Sequence, residues 1–135
     1  MTDKDYLKLA IDESMKAQSR HQYGAVVVRD GEILAINHNR VWEEYDPSAH
    51  AEVSVIRSAT KKLKQHNLEG ATLYASHEPC VMCFCCAVWA NITRIVYANP
   101  ATDSGDSYEF DGVSLKDLAE KIQRKIVIER LDISL

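Results

Sequence analysis

Cysteine is missing from this chain outside one seven-residue window. All four cysteines lie in the stretch "EPCVMCFCC", at Cys80, Cys83, Cys85 and Cys86. A disulfide framework needs its cysteines spread along the chain, so this clustering excludes one. The opening "MTDKDYLKLA" also lacks the continuous apolar core of a signal peptide. The cysteines are therefore expected as thiols or thiolates in a reducing compartment, and the expected location is the cytoplasm. No uninterrupted apolar run is long enough to span a membrane. A positive charge excess is missing too. Sixteen Lys and Arg face twenty Asp and Glu, for a net charge of −4, so general attraction to nucleic acid is not expected. Internal repeats and low-complexity segments are absent as well.

What remains describes one globular domain over residues 1–135, with a hydrophobic fraction of 46%. That length is enough to bury a core without staples. Residues 3–18 carry Leu7, Ala10, Ile11, Ser14 and Met15 on one helical face, with Thr2 or Asp3 as cap. "GAVVVRDGEILAINHN" reads as two strands around an Asp30-Gly31 turn. "EEYDPSAH" is a loop broken by Pro47. Residues 50–64 read as a helix with Val53, Ile56, Ala59 and Leu63 on one face. Its lysines at 61, 62 and 64 suit the negative end of the dipole. "ATLYAS" is a strand, and residues 79–92 form an apolar helix with Pro79 in its first turn. A strand at 93–98, a loop at 102–112, a helix at 114–125 and a strand at 126–129 complete the chain. Helices alternating with strands predict an α/β fold, a three-layer α/β/α sandwich. The opening hairpin makes its sheet mixed.

The four cysteines cannot share one task. Successive helical residues turn about 100°. Cys80 and Cys83 then lie about 60° apart, while Cys85 points roughly the opposite way. Cys80 and Cys83 also sit where unpaired N–H groups favour thiolates, which makes them metal-ligand candidates. Cys85 and Cys86 read as small apolar fillers. A lone C-x-x-C also allows a redox pair. A zinc site needs a further ligand. Of the histidines, His66 reads as a solvated partner of a helix end and His77 as packing beside a strand. His50 differs, because it opens a helix in "DPSAHAEV" and is followed by Glu52. A ligand there could face two thiolates at the start of another helix. Three protein ligands leave the fourth zinc position open to water, with Glu52 beside it as a proton carrier. H-x-E followed by P-C-x-x-C is the signature of zinc deaminases.

With these residues assembled, the chain resembles the cytidine-deaminase-like superfamily. Within it, the chain is similar to the branch of guanine deaminases, fungal-type cytosine deaminases and tRNA adenosine deaminases. The matching stretches are "YGAVVVRDGEILAINHN", "DPSAHAEVSVIRSA", "LYASHEPCVMC", "AVWA" and "IVYA". The resemblance implies a five-stranded mixed sheet between helices. It also implies one Zn2+ per chain held by His50, Cys80 and Cys83, with Glu52 shuttling protons. The "WA" at Trp89, the "YA" at Tyr97 and the "TD" at Thr102 are similar to the guanine deaminase group. That similarity implies Asn39 as a base contact and Asp103 as an assisting acid, with Asp106 as fallback. "HQYG" at 21–24 departs from the family's Pro-Phe-Gly-like approach, and Tyr23 reads as a packing residue. The expected substrate is a free nucleobase, guanine before cytosine. A tRNA adenosine deaminase is the next alternative, and a structural zinc module without catalysis the last. A homodimer is expected by the same resemblance.

Overall fold

The computed structural model describes residues 1–100, 110 and 112–133. Its elements run α1 (Asp3–Ser14), β1 (Gly24–Arg29), β2 (Glu32–His38), α2 (Val41–Glu44), α3 (Ala51–Leu63), β3 (Thr72–His77), α4 (Val81–Trp89), β4 (Arg94–Asn99), α5 (Leu115–Ala119) and β5 (Val127–Arg130). The five strands form one sheet in the order β2-β1-β3-β4-β5. β1 is antiparallel to both β2 and β3, while β3, β4 and β5 are parallel. The sheet is mixed as predicted. The β1–β2 turn follows from its sequence. Asp30 and Gly31 take φ values of 53° and 75°, the left-handed pair that a two-residue hairpin of right-twisted strands requires.

Period-two alternation sorts the strand side chains into two cores. Ala25, Val27, Leu73, Ala75, Ile95 and Tyr97 pack with the buried faces of α3 and α4. Val26, Val28, Tyr74, Val96 and Ala98 pack with Tyr6, Leu7 and Ala10 of α1. Strands covered on both faces are buried along their middle positions, and β1, β3 and β4 are, with Ser76 of β3 as a polar residue among apolar ones. The N-terminus of α1 is closed by a capping box between Thr2 and Asp5. It is also tied to the sheet. Arg94 donates to Asp3 at 2.6 and 2.9 Å and to Glu129 of β5 at 3.0 Å twice. The Arg94 bonds, then one from the Tyr74 hydroxyl, hold the Asp3 carboxyl down at about 2.

Four elements differ from the sequence expectation, one of them α4, which covers Val81–Trp89 within the expected 79–92. α1 ends at Ser14, not residue 18, because its last turn tightens to i→i−3 bonds at Met15, Lys16 and Ala17. Met15 is then 65% exposed. α5 covers only Leu115–Ala119 within the predicted 114–125. The chain must return to the sheet, where the Val127 N–H donates to the Thr93 carbonyl and Ile126 is buried. The short helix α2 stands just before and inside the expected loop, and Tyr45 ends it at φ 52°.

Gly24, the first residue of β1, is where α1 meets the sheet. A Cβ there would lie 2.1 Å from the Ala10 carbonyl oxygen and 2.6 Å from the Ser14 nitrogen. Both are backbone atoms, so the helix itself would have to move. Gly24→Ala is expected to lose on the order of 3 kcal/mol of stability, at the upper end for an overpacked core. Denaturant unfolding measures it. An unchanged midpoint would mean that α1 lifts from the sheet at little cost.

Candidate active site

The site forms where the N-termini of α3 and α4 meet. His50 is the N-cap of α3, at φ −61° and ψ 161°, and its side chain makes no capping bond. Cys80 is the N-cap of α4, at φ −74° and ψ 176°, again without a capping bond. Cys83 lies in the first turn of α4 and is fully buried. Cys80 departs from the helical-wheel expectation. Cys80 and Pro79 stand before the helix, not in its first turn. It is the extended cap backbone that brings the Cys80 sulfur beside Cys83.

The three side chains converge. His50 Nδ1 lies 3.6 Å from Cys80 Sγ and 3.5 Å from Cys83 Sγ, and the two sulfurs are 3.6 Å apart. Tetrahedral bonding at ordinary zinc–sulfur and zinc–nitrogen lengths puts sulfur pairs about 3.8 Å apart and sulfur–nitrogen pairs about 3.6 Å apart. The donor set therefore fits one zinc ion without rearrangement. Among the described residues this is the single cluster of His, Cys, Asp and Glu so disposed. Cys86 packs half-buried against the core, as a small filler does, but Cys85 is exposed and fills no core space, which corrects that expectation; neither belongs to the metal cluster.

Electrostatics prepare the donors. A hydrogen bond from Cys83, followed by one with His50, holds the Cys80 thiol down at about 4. The same bond, seen from its donor, pushes Cys83 up, and burial adds to this. The Cys80 hydrogen bond also raises His50. Two helix N-termini face the sulfurs, which favours negative charge there. Glu52, in the first turn of α3, is 5% exposed. Burial raises its carboxyl from 4.5 to about 7, against an opposing hydrogen bond with Cys83. A carboxyl with that value can both take and give a proton near neutral pH.

Beside His50 opens a cavity of roughly 260 Å³, whose wall includes Tyr23, Asn39, Trp42 and Pro47. Asn39 ends the hairpin and is buried. Its Oδ1 accepts from the Val41 N–H at 3.1 Å, and its Nδ2 donates to the His21 carbonyl at 2.9 Å. The amide has two N–H donors, and the bond to His21 uses one. Tyr23 does pack, with its ring 4.5 Å from that of His77, and it lines the cavity as well. Trp42 and His21 also line it, which sequence reasoning did not foresee. The available signal was an aromatic residue between two site residues, Asn39 and His50. Asp103 lies outside the described residues, as does Asp106.

An α/β/α sandwich carrying a His-Cys-Cys metal site beside a buried glutamate is the architecture of a zinc-dependent hydrolytic deaminase. Residues 1–99 match the family model described as the cytidine and deoxycytidylate deaminase zinc-binding region, and the chain belongs to that family. It is 35% identical to the guanine deaminase of Bacillus subtilis (strain 168) over 130 residues, 94% of this chain and 83% of that one. It is 38% identical to the tRNA-specific adenosine deaminase of Aquifex aeolicus (strain VF5) over 95 residues, 69% of this chain and 63% of that one. A solved structure from a study of A-to-I editing by tRNA:A34 deaminases superposes with a TM-score of 0.79 at 32% identity. It covers 93% of this chain and 97% of its own. Among the described residues, no helix is long and apolar enough to cross a membrane.

Proposed function

We propose that the chain, acting as one domain over residues 1–135, hydrolyses the exocyclic amine of a free nucleobase, with guanine ranked before cytosine. The observation that carries this is the pairing of a three-ligand metal cluster with one buried, protonatable carboxyl, Glu52. His50, Cys80 and Cys83 would hold zinc, which would supply a polarised water of lowered pKa. Glu52 takes the proton of the attacking water and passes it to a ring nitrogen. It then takes the second proton, from the hydroxyl now on the ring carbon, and gives it to the departing amine; the hydroxyl becomes a carbonyl as the C–N bond breaks and ammonia leaves. One carboxyl can serve as base and then acid because its value lies near neutral. Asn39 offers its remaining N–H to a base edge, and Asp103 is assigned a second proton-handling role.

The ranking of guanine rests on two supports. Similarity to the guanine deaminase relative runs through 94% of this chain, against 69% for the tRNA-specific relative. The net charge of −4 gives no general attraction to a polynucleotide. The 38% identity to that tRNA-specific relative favours tRNA adenosine as the second reading. Ammonia release from guanine, cytosine, adenine and a tRNA anticodon stem-loop tests the order. Guanine is expected to give the highest kcat/KM. Release from the stem-loop alone would transfer the assignment to tRNA.

A homodimer is part of this proposal. α4 leaves Trp89 83% exposed, with Cys85 exposed on the same helix face, apolar surface that a second copy could cover. Sedimentation at micromolar concentration is expected to give twice the mass implied by 15.2 kDa. A single 15.2 kDa species would remove the claim.

A further inference from the structure

Trp42 is an exposed indole held by an extended polar support. It sits on α2, a helix of four residues whose N-cap Arg40 makes no side-chain capping bond. A helix that short has no stability of its own. It is held from outside. The Val41 N–H donates to Asn39 Oδ1. Arg40 Nε donates to Glu44 at 3.0 Å. His38 stands between two carboxylates, with Nδ1 2.7 Å from Glu13 of α1 and Nε2 3.5 Å from Glu43 of α2. The side chains of Glu13, His38 and Glu43 are 11–16% exposed. A nearly buried polar chain thus runs from α1 to α2. None of it buries the indole, which remains 70% exposed. The indole instead lines the cavity beside His50, in company with Tyr23, Asn39 and Pro47.

We propose that Trp42 is a substrate-contacting residue whose indole stacks on the planar ring of the free base in this cavity. This rests on the free-nucleobase reading above. Stacking needs only a π-face, so the indole accepts any base. The area buried grows with the ring system, so a bicyclic purine gains more from it than a pyrimidine. Trp42 would thereby set part of the preference for guanine over cytosine.

Steady-state kinetics on the zinc-loaded protein give the first readout. Trp42→Ala is expected to raise KM for guanine by about tenfold or more, with a smaller rise for cytosine and kcat nearly unchanged. That pattern marks lost binding common to ground and transition states. Trp42→Phe, which keeps a stacking face, should recover most of the loss. A second readout needs no turnover. The chain has two tryptophans, so Trp89→Phe leaves Trp42 as the sole indole. Adding Glu52→Gln stops the reaction. Titration of that double variant with guanine should quench the indole emission saturably. Wild-type turnover of guanine, together with an unchanged KM in Trp42→Ala and unmoved Trp42 emission, would overturn the inference alone. Absence of turnover on both guanine and cytosine would overturn the free-base reading and this inference with it.

Discussion

Glu52→Gln protein is expected to bind zinc at full stoichiometry and to lose roughly 10²- to 10⁴-fold in kcat, the range of a removed general acid–base group. The ligand atoms belong to His50, Cys80 and Cys83, so metal content should not follow the substitution. Glutamine keeps the size of a protonated glutamate but cannot carry a proton from water to base. Metal analysis beside ammonia release checks both halves. Native turnover in Glu52→Gln would remove Glu52 from the mechanism.

The same variant gives a pH test in chelator-treated protein. The Glu52 carboxyl ionises at 4.5 in its ordinary state and at about 7 when buried. Below 4.5 both folded and unfolded chains hold the proton, and the group contributes no pH dependence. Between 4.5 and about 7 the unfolded chain releases the proton while the folded chain keeps it. Folding stability from this group therefore falls as pH rises through that window, and levels off above it. At about 1.4 kcal/mol per pH unit the loss approaches roughly 3 kcal/mol. The amide that replaces the carboxyl in the variant has no such proton. Metal-free Glu52→Gln should thus match wild type near pH 4.5 and exceed it by up to about 3 kcal/mol above about pH 7. Comparing the two proteins cancels the titrations of groups remote from Glu52, whereas His50, Cys80 and Cys83 interact with it and contribute to the difference. A gap that stays constant from about pH 4.5 to about pH 8 would mean that Glu52 ionises in place without burial cost.

The parts of this molecule legible in its sequence are those set by local rules. The Asp30-Gly31 turn needs two left-handed residues, and the sequence supplies residues suited to them. Alternation in β1, β3 and β4 fixes which side chains face each helix layer. The metal ligands were legible for a different reason. His50, Cys80 and Cys83 each stand at or near a helix N-terminus, and helix starts carry strong local signals. What local rules do not encode is the path between elements. Whether Cys80 lies in α4 or caps it depends on the backbone turn after Pro79. The lengths of α1 and α5 depend on where β1 and β5 draw the chain back to the sheet. Trp42 escaped notice because exposure at a cavity wall has no periodicity. Asn39 shows the intermediate case. Its place after β2 was readable, but its bonds to His21 and Val41 are long-range and short-range products of the fold.

Replacing the cysteines one at a time should divide them sharply. Cys80→Ala and Cys83→Ala are each expected to lose most of the bound zinc, and turnover with it, whereas Cys85→Ala should keep both. The reason is geometric. Sulfur and nitrogen separations of 3.5–3.6 Å fit a tetrahedral ion only when all three donors remain. Two donors leave half the coordination shell to water, and affinity falls by orders of magnitude. Cys85 is exposed and away from the cluster. The protonation states add a direction with pH. Cys80, at about 4, already carries a thiolate near neutrality. Cys83 is pushed up by its bond to Cys80 and by burial, and His50 is raised by its own bond to Cys80, so zinc must displace protons from this pair. Binding that releases a proton strengthens as pH rises. Wild-type zinc affinity should therefore increase from about pH 6 to about pH 8, and Cys85→Ala should follow the same line. Zinc titration against a competing chelator across that range measures it. Equal zinc loss in Cys80→Ala and Cys85→Ala would break the assignment of ligands, and a pH-independent affinity would break the assignment of displaceable protons to Cys83 and His50.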